Sequence, residues 1–130
     1  MSACIEQAIV RVCQSIATVF WDTAEQDADF PHIVGRTITG AGYGSSDEPE
    51  QYSRTTVQLD FYSLSGAERN LSSRKLRDAL LKADRRQSFK SGIVTLHSVQ
   101  LVNKRSSTET EASQRVFVQS QDFSILFKEE

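Results

Sequence analysis

The sequence predicts an α+β two-layer sandwich in the order α-β-β-α-β-β, a mostly antiparallel four-stranded sheet with both helices on one face and two long hairpin arms. Three observations in one stretch carry that expectation. Val57, Leu59 and Phe61 alternate with Gln58, Asp60 and Tyr62, the two-residue period of a strand with one buried face. Ser65-Gly-Ala-Glu68 follows; the Ser65 hydroxyl can accept from a free first-turn amide while Glu68 reaches back to the Ser65 amide, a capping box that starts a helix. The period then changes to 3.6, with Leu71, Leu76, Ala79 and Leu80 on one side. A half-buried strand running into an amphipathic helix is one half of a sheet-and-helix layer.

Taken in order, Ala3 to Phe20 is expected as the first helix, because Ile5, Ile9, Val12, Ile16 and Phe20 recur at spacings of three and four. Cys4 and Cys13 both fall in it, ~13 Å apart along its axis at ~1.5 Å per residue, too far for a disulfide, and read as reduced helix residues. Asp22 to Asp29 reads as a solvated acidic loop. His32 to Thr39 is a β-rich run between Pro31 and Gly40, and Gly35 inside it suggests a bulge or a close backbone approach. His32 and His97 lack the carboxylate or cysteine pattern of a metal site, so a structural role is expected of them. Gly40 to Ser53 is a polar hairpin arm. Its Gly-x-Gly-x-Gly fragment is no phosphate cradle, since an acidic Asp47-Glu48-Pro49-Glu50 stretch follows where a helix amino terminus would be needed.

The second helix carries the exposed feature that asks for a partner. Arg74, Arg77, Leu81 and Arg85 share the face opposite the Leu76, Ala79, Leu80 stripe, and Arg69 to Lys90 holds eight basic residues against Asp78 and Asp84. Such a face is either solvated, with salt pairs to nearby acids, or a subunit contact with Leu81 as its apolar centre. Ile93 to Val102 is a further strand whose apolar residues change phase, Val94 and Leu96 first and then Val99 and Leu101, which calls for a bulge or for cover on both faces. Asn103 to Gln114 reads as a second polar arm. Arg115 to Phe127 closes the chain, with Phe117, Phe123, Ile125 and Phe127 sharing parity and Gln119 and Gln121 interrupting that face.

Length and composition narrow the class. A chain of 130 residues, 38% hydrophobic and 25% charged, is expected to be one soluble domain spanning residues 1–130. A net charge of −2 does not suit a nucleic-acid or membrane-surface binder, no apolar run approaches the ~20 residues of a membrane span, and Glu6 and Gln7 break any signal-peptide pattern, so a cytoplasmic chain is expected. There is no nucleophile elbow, Walker loop, zinc spacing or paired-carboxylate arrangement. Neither an enzyme nor a cofactor or metal is expected.

The layout resembles the tail-terminator or tail-completion family of long-tailed bacteriophages. The resemblance covers nearly the whole chain: the opening helix, Phe30-Pro-His-Ile-Val34 leading a strand, Val57-Gln-Leu-Asp-Phe-Tyr62 running into the Ser65-x-x-Glu68 helix, and Arg115-Val-Phe-Val-Gln-Ser-Gln-Asp-Phe-Ser-Ile125 at the close. It implies a structural virion protein at the tail–neck junction, assembled in the host cytoplasm. Such a protein forms a ring, commonly hexameric, that caps the tail tube, ends its polymerisation and gives the head a docking surface. Implied partners are further copies of the chain, the tail tube protein and a head–tail connector, with DNA only passing through the lumen and no membrane. On that expectation Arg74, Arg77, Leu81 and Arg85 meet an acidic segment of the adjacent subunit, such as Asp47, Glu48 and Glu50. A neck or head-completion protein shares the layout. A small nucleic-acid-binding α+β module needs a basic sheet face or stacking aromatics, which Tyr62 and Phe117 alone do not supply.

Overall fold

A computed structural model describes residues 5–23, 29–39, 53–83, 85–90, 92–111 and 114–129. Their order is α1 (Ile5–Cys13), β1 (Thr18–Trp21), β2 (His32–Thr39), β3 (Ser53–Ser63), α2 (Gly66–Leu81), β4 (Arg86–Phe89), β5 (Gly92–Glu111) and β6 (Gln114–Glu129). The strands form one mixed six-stranded sheet, ordered β1-β2-β3-β6-β5-β4. The β1–β2 pair is parallel, and every other neighbouring pair is antiparallel.

Strand alternation divides the sheet into two unlike faces. Ile33, Leu59, Phe61, Leu96, Phe123 and Ile125 look toward the helices and share one core with Ile5, Ile9 and Cys13 of α1 and Leu76 and Leu80 of α2. Each of these large side chains contributes ~1.5–3 kcal/mol by leaving water. Cys13 is fully buried there, and burial pushes its thiol up to about 12. The start of α1 is tied to the far end of the sheet, where the Ile5 amide donates to Glu129 Oε1 at 2.9 Å. This satisfies an amide that has no partner within the helix.

Several expectations need correcting. The sheet has six strands rather than four and is mixed, so the order α-β-β-α-β-β does not hold, although helices and sheet remain in one α+β fold. The first helix ends at Cys13, not Phe20. Thr18-Val-Phe-Trp21 is β1, because β-branched and aromatic residues favour a pleated edge and the helical spacing of Ile16 and Phe20 was coincidental. β4 lies in the basic stretch after α2; its Arg-Gln-Ser-Phe sequence has no apolar alternation and is held by backbone pairing to β5.

The polar arm at Asn103 to Gln114 is likewise not a separate arm. β5 runs on to Glu111 and pairs with β6 along its length, with a polar composition because both faces there meet solvent. The phase change in β5 does mark a bulge, with the register slipping between Leu96 and Ser98 and again between Leu101 and Asn103. Leu71 is exposed, so the buried stripe of α2 is Ser73, Leu76 and Leu80. The Gly40–Ser53 arm, with Asp47, Glu48 and Glu50, lies outside the described residues up to Ser53, and so does Cys4.

Candidate subunit interface

The amino terminus of α2 is fixed before its exposed face is presented. The Glu68 amide donates to Ser65 Oγ at 3.3 Å, as the capping box requires. The reciprocal bond is relayed: the Ser65 amide donates to Ser63 Oγ at 3.1 Å, and that hydroxyl donates to Glu68 Oε1 at 2.5 Å. Ser63 is the last residue of β3 and fully buried, so the cap also sets the angle between strand and helix. Arg69 then reaches across to β6 and β5, its guanidinium 5.6 Å over the Phe117 ring and its Nη1 donating to the Ser107 carbonyl at 3.4 Å.

One turn further along, α2 and the β5–β6 hairpin enclose a polar notch of about 340 Å³, lined by Asn70, Ser73, Arg74, Arg77, Lys104, Ser106, Gln119 and Gln121. Its floor is braced. Gln121, almost wholly buried, donates through Nε2 to the Ser73 carbonyl at 3.1 Å. Gln119 accepts from Ser106 Oγ at 2.9 Å and donates to the Arg105 carbonyl at 2.7 Å. The two glutamines that interrupt the apolar parity of β6 therefore face α2, where they replace apolar core with hydrogen bonds.

Of the residues expected at a subunit contact, Arg74 and Arg77 line this notch. Leu81 is 48% exposed on the last turn of α2. Arg85 is off the helix, in the bend before β4, where its carbonyl accepts from the Leu96 amide at 2.5 Å. The four do not form one helical row. Sequence reasoning missed Lys104, which sits in a stretch read as a polar arm, and Ser73, whose place beneath α2 only the helix packing reveals.

The helix-free face of the sheet carries a second polar arrangement. Asp60 accepts from Gln58 Nε2 at 2.9 and 3.0 Å and lies 3.7 Å from Arg36. Asp122, also buried, is held by Arg105 at 3.3 Å. At one end His32 stacks on Tyr62, ring centroids 4.9 Å apart, beside Phe20 and Phe30, and its Nδ1 donates to the Asp29 carbonyl at 3.0 Å. Most of these groups are engaged with one another, while Asp122 Oδ1 is buried without a partner. Among the described residues, no three His, Cys, Asp or Glu side chains gather to hold a metal, and no helix is long and apolar enough to cross a membrane.

No family model and no curated protein sequence matches the chain. Its fold is similar to that of a chain from the virion of a native gene transfer agent particle. That likeness has a TM-score of 0.58 at 9% identity and covers 95% of this chain and 94% of the other. A second solved structure is similar with a TM-score of 0.51 at 11% identity over 93% and 92% of the two chains. At such identities the shared property is the fold.

Proposed function

We propose that this chain is a structural virion protein of a long-tailed, phage-like particle. It forms a single domain over residues 1–130 and assembles with its own copies into a ring, hexameric in the reading we favour. The ring caps the tail tube, stops its growth and receives the head. The observation that carries this reading is the end-to-end likeness of fold to a chain of a gene transfer agent virion.

A ring needs heterologous, head-to-tail contacts that close on themselves, so one face of a copy must fit a different face of the next. The basic side of α2, with Arg74, Arg77 and Leu81 and with Arg85 beyond its end, is one such face. The acidic Asp47, Glu48 and Glu50 of a neighbour are its complement. The tube protein and a connector protein meet the two rims, DNA passes through the lumen, and no chemistry is catalysed.

The deciding experiment is the tail-length distribution, by electron microscopy, in lysates of a particle lacking this gene. Overlong headless tubes of irregular length are expected. Tails of normal length beside heads that fail to join would instead place the protein in the neck, and normal infectious particles would defeat both structural roles.

A further inference from the structure

We propose that the notch between α2 and the β5–β6 hairpin is a carboxylate-binding site, filled by the Asp47-Glu48-Pro49-Glu50 stretch of a second copy. The identity of the occupant rests on the ring reading above; the chemistry of the notch does not. Three cationic side chains line it, Arg74, Arg77 and Lys104, and no acid does. Among the described residues Arg74 and Lys104 make no ion pair, and the contact of Arg77 with Asp78, at 3.9 Å, is too long for a hydrogen bond.

Neutral groups add to the same preference. Asn70 Oδ1 accepts from Arg69 Nε at 3.0 Å, which leaves the Asn70 amide hydrogens as donors at the notch. Ser73 is buried with its hydroxyl unpartnered. A pocket of cations and donors with a braced floor fits an oxyanion, and two guanidinium groups three residues apart on one helix face suit carboxylates, which accept two parallel bonds from each fork.

The register favours a second copy over the same chain. Ser53, where the 40–52 segment rejoins the sheet, pairs with Phe127, whereas Gln121 and Gln119 lie six and eight residues further back along β6. At ~3.3 Å per residue the notch is therefore ~20–26 Å from that hairpin base. Glu50, Glu48 and Asp47 are three, five and six residues from Ser53, a reach of at most ~11, ~18 and ~22 Å even when fully extended. Glu48 and Glu50 therefore fall short of the notch of their own chain and Asp47 at most reaches its edge, whereas a neighbour in head-to-tail contact can offer all three.

The test is fluorescence anisotropy of a labelled peptide with the sequence of residues 44–53, titrated with the full-length protein. Binding is expected, with affinity reduced at least ~tenfold by Arg74→Glu/Lys104→Glu, and also by Arg74→Gln/Lys104→Gln, which removes charge without reversing it. Arg86→Glu, an exposed cation outside the notch, should leave affinity unchanged. A peptide with Asn and Gln in place of the three acids should not bind.

Equal losses from Arg86→Glu and the notch variants would show diffuse charge attraction and overturn the site. So would binding of inorganic phosphate without binding of the peptide. Sedimentation of the full chain separates the two proposals: peptide bound by a protein monomeric at all concentrations removes the ring and keeps the site. Rings that form normally in Arg74→Glu/Lys104→Glu remove the site and keep the ring.

Discussion

Trp21 occupies the space that Gly35 leaves empty. A Cβ placed on Gly35 would stand 2.5 Å from Trp21 Cζ3 and 2.7 Å from Cε3, with Leu59 Cδ2 at 3.1 Å on its other side. The three residues are register partners across β1, β2 and β3, so the indole lies across the glycine on the core side of the sheet. Of the two reasons considered for a glycine at this position, close approach is the one realised; the irregularity in β2 falls between Thr37 and Thr39.

Gly35→Ala should therefore cost ~1–3 kcal/mol, because neither ring nor backbone can yield half an ångström cheaply. The cost should shrink in a Trp21→Leu background, although that change is itself destabilising. Urea unfolding of the four proteins of the cycle gives the coupling, and additive effects would mean that the indole moves aside.

The relayed cap at α2 predicts that Ser63 matters as much as Ser65. Ser65→Ala removes the acceptor for the Glu68 amide and should cost ~1 kcal/mol. Ser63→Ala removes the acceptor for the Ser65 amide and the donor to Glu68 together, for ~1–2 kcal/mol. Were the cap reciprocal without the relay, Ser63→Ala would be close to neutral in thermal unfolding.

On the helix-free face, Asp122 depends on Arg105. One carboxylate oxygen, Oδ1, is buried without a partner and the other meets the guanidinium at 3.3 Å. Arg105→Ala should destabilise by ~1 kcal/mol, the low end for an orphaned buried group because half of the arginine is in solvent. Adding Asp122→Asn should recover most of that loss, and raising the salt concentration should shrink it. Unfolding at two ionic strengths reads both effects.

Glu6 gives a pH dependence. Burial, then repulsion from Asp22 and Glu129, raises its carboxyl above the usual range. A group whose folded pKa is raised binds protons more tightly in the folded state. Its contribution is complete below the ordinary value of ~4.3 and is lost as pH rises through the folded value. Glu6→Gln should accordingly raise the Tm at pH 7 and have little effect near pH 4. A gain of the same size at both would assign the benefit to something other than ionisation.

Leu81 tests the assembly face separately from the fold. At 48% exposure, Leu81→Asp should change stability within ~0.5 kcal/mol while blocking ring formation and tail capping. Intact rings and tails of normal length with this variant would move the contact off this side of α2.

Sequence alone determined the strand-to-helix join, the limits of β2, the start of α2 at Ser65 and the change of apolar phase in β5, which the register resolves as a bulge. In each case a local signal exists: alternation, a capping residue, or a shift of apolar phase against a sheet face that must stay dry. It also marked Gln119 and Gln121 as anomalies without saying what they face. Only the tertiary structure decided that Thr18-Val-Phe-Trp21 leaves the helix, that Arg86–Phe89 adds an edge strand, and that Lys104 comes to stand across from Arg74 and Arg77. These outcomes depend on backbone pairing between distant segments. Backbone amides and carbonyls are the same in every residue but proline, so a strand whose side chains face water leaves no hydrophobic period to read.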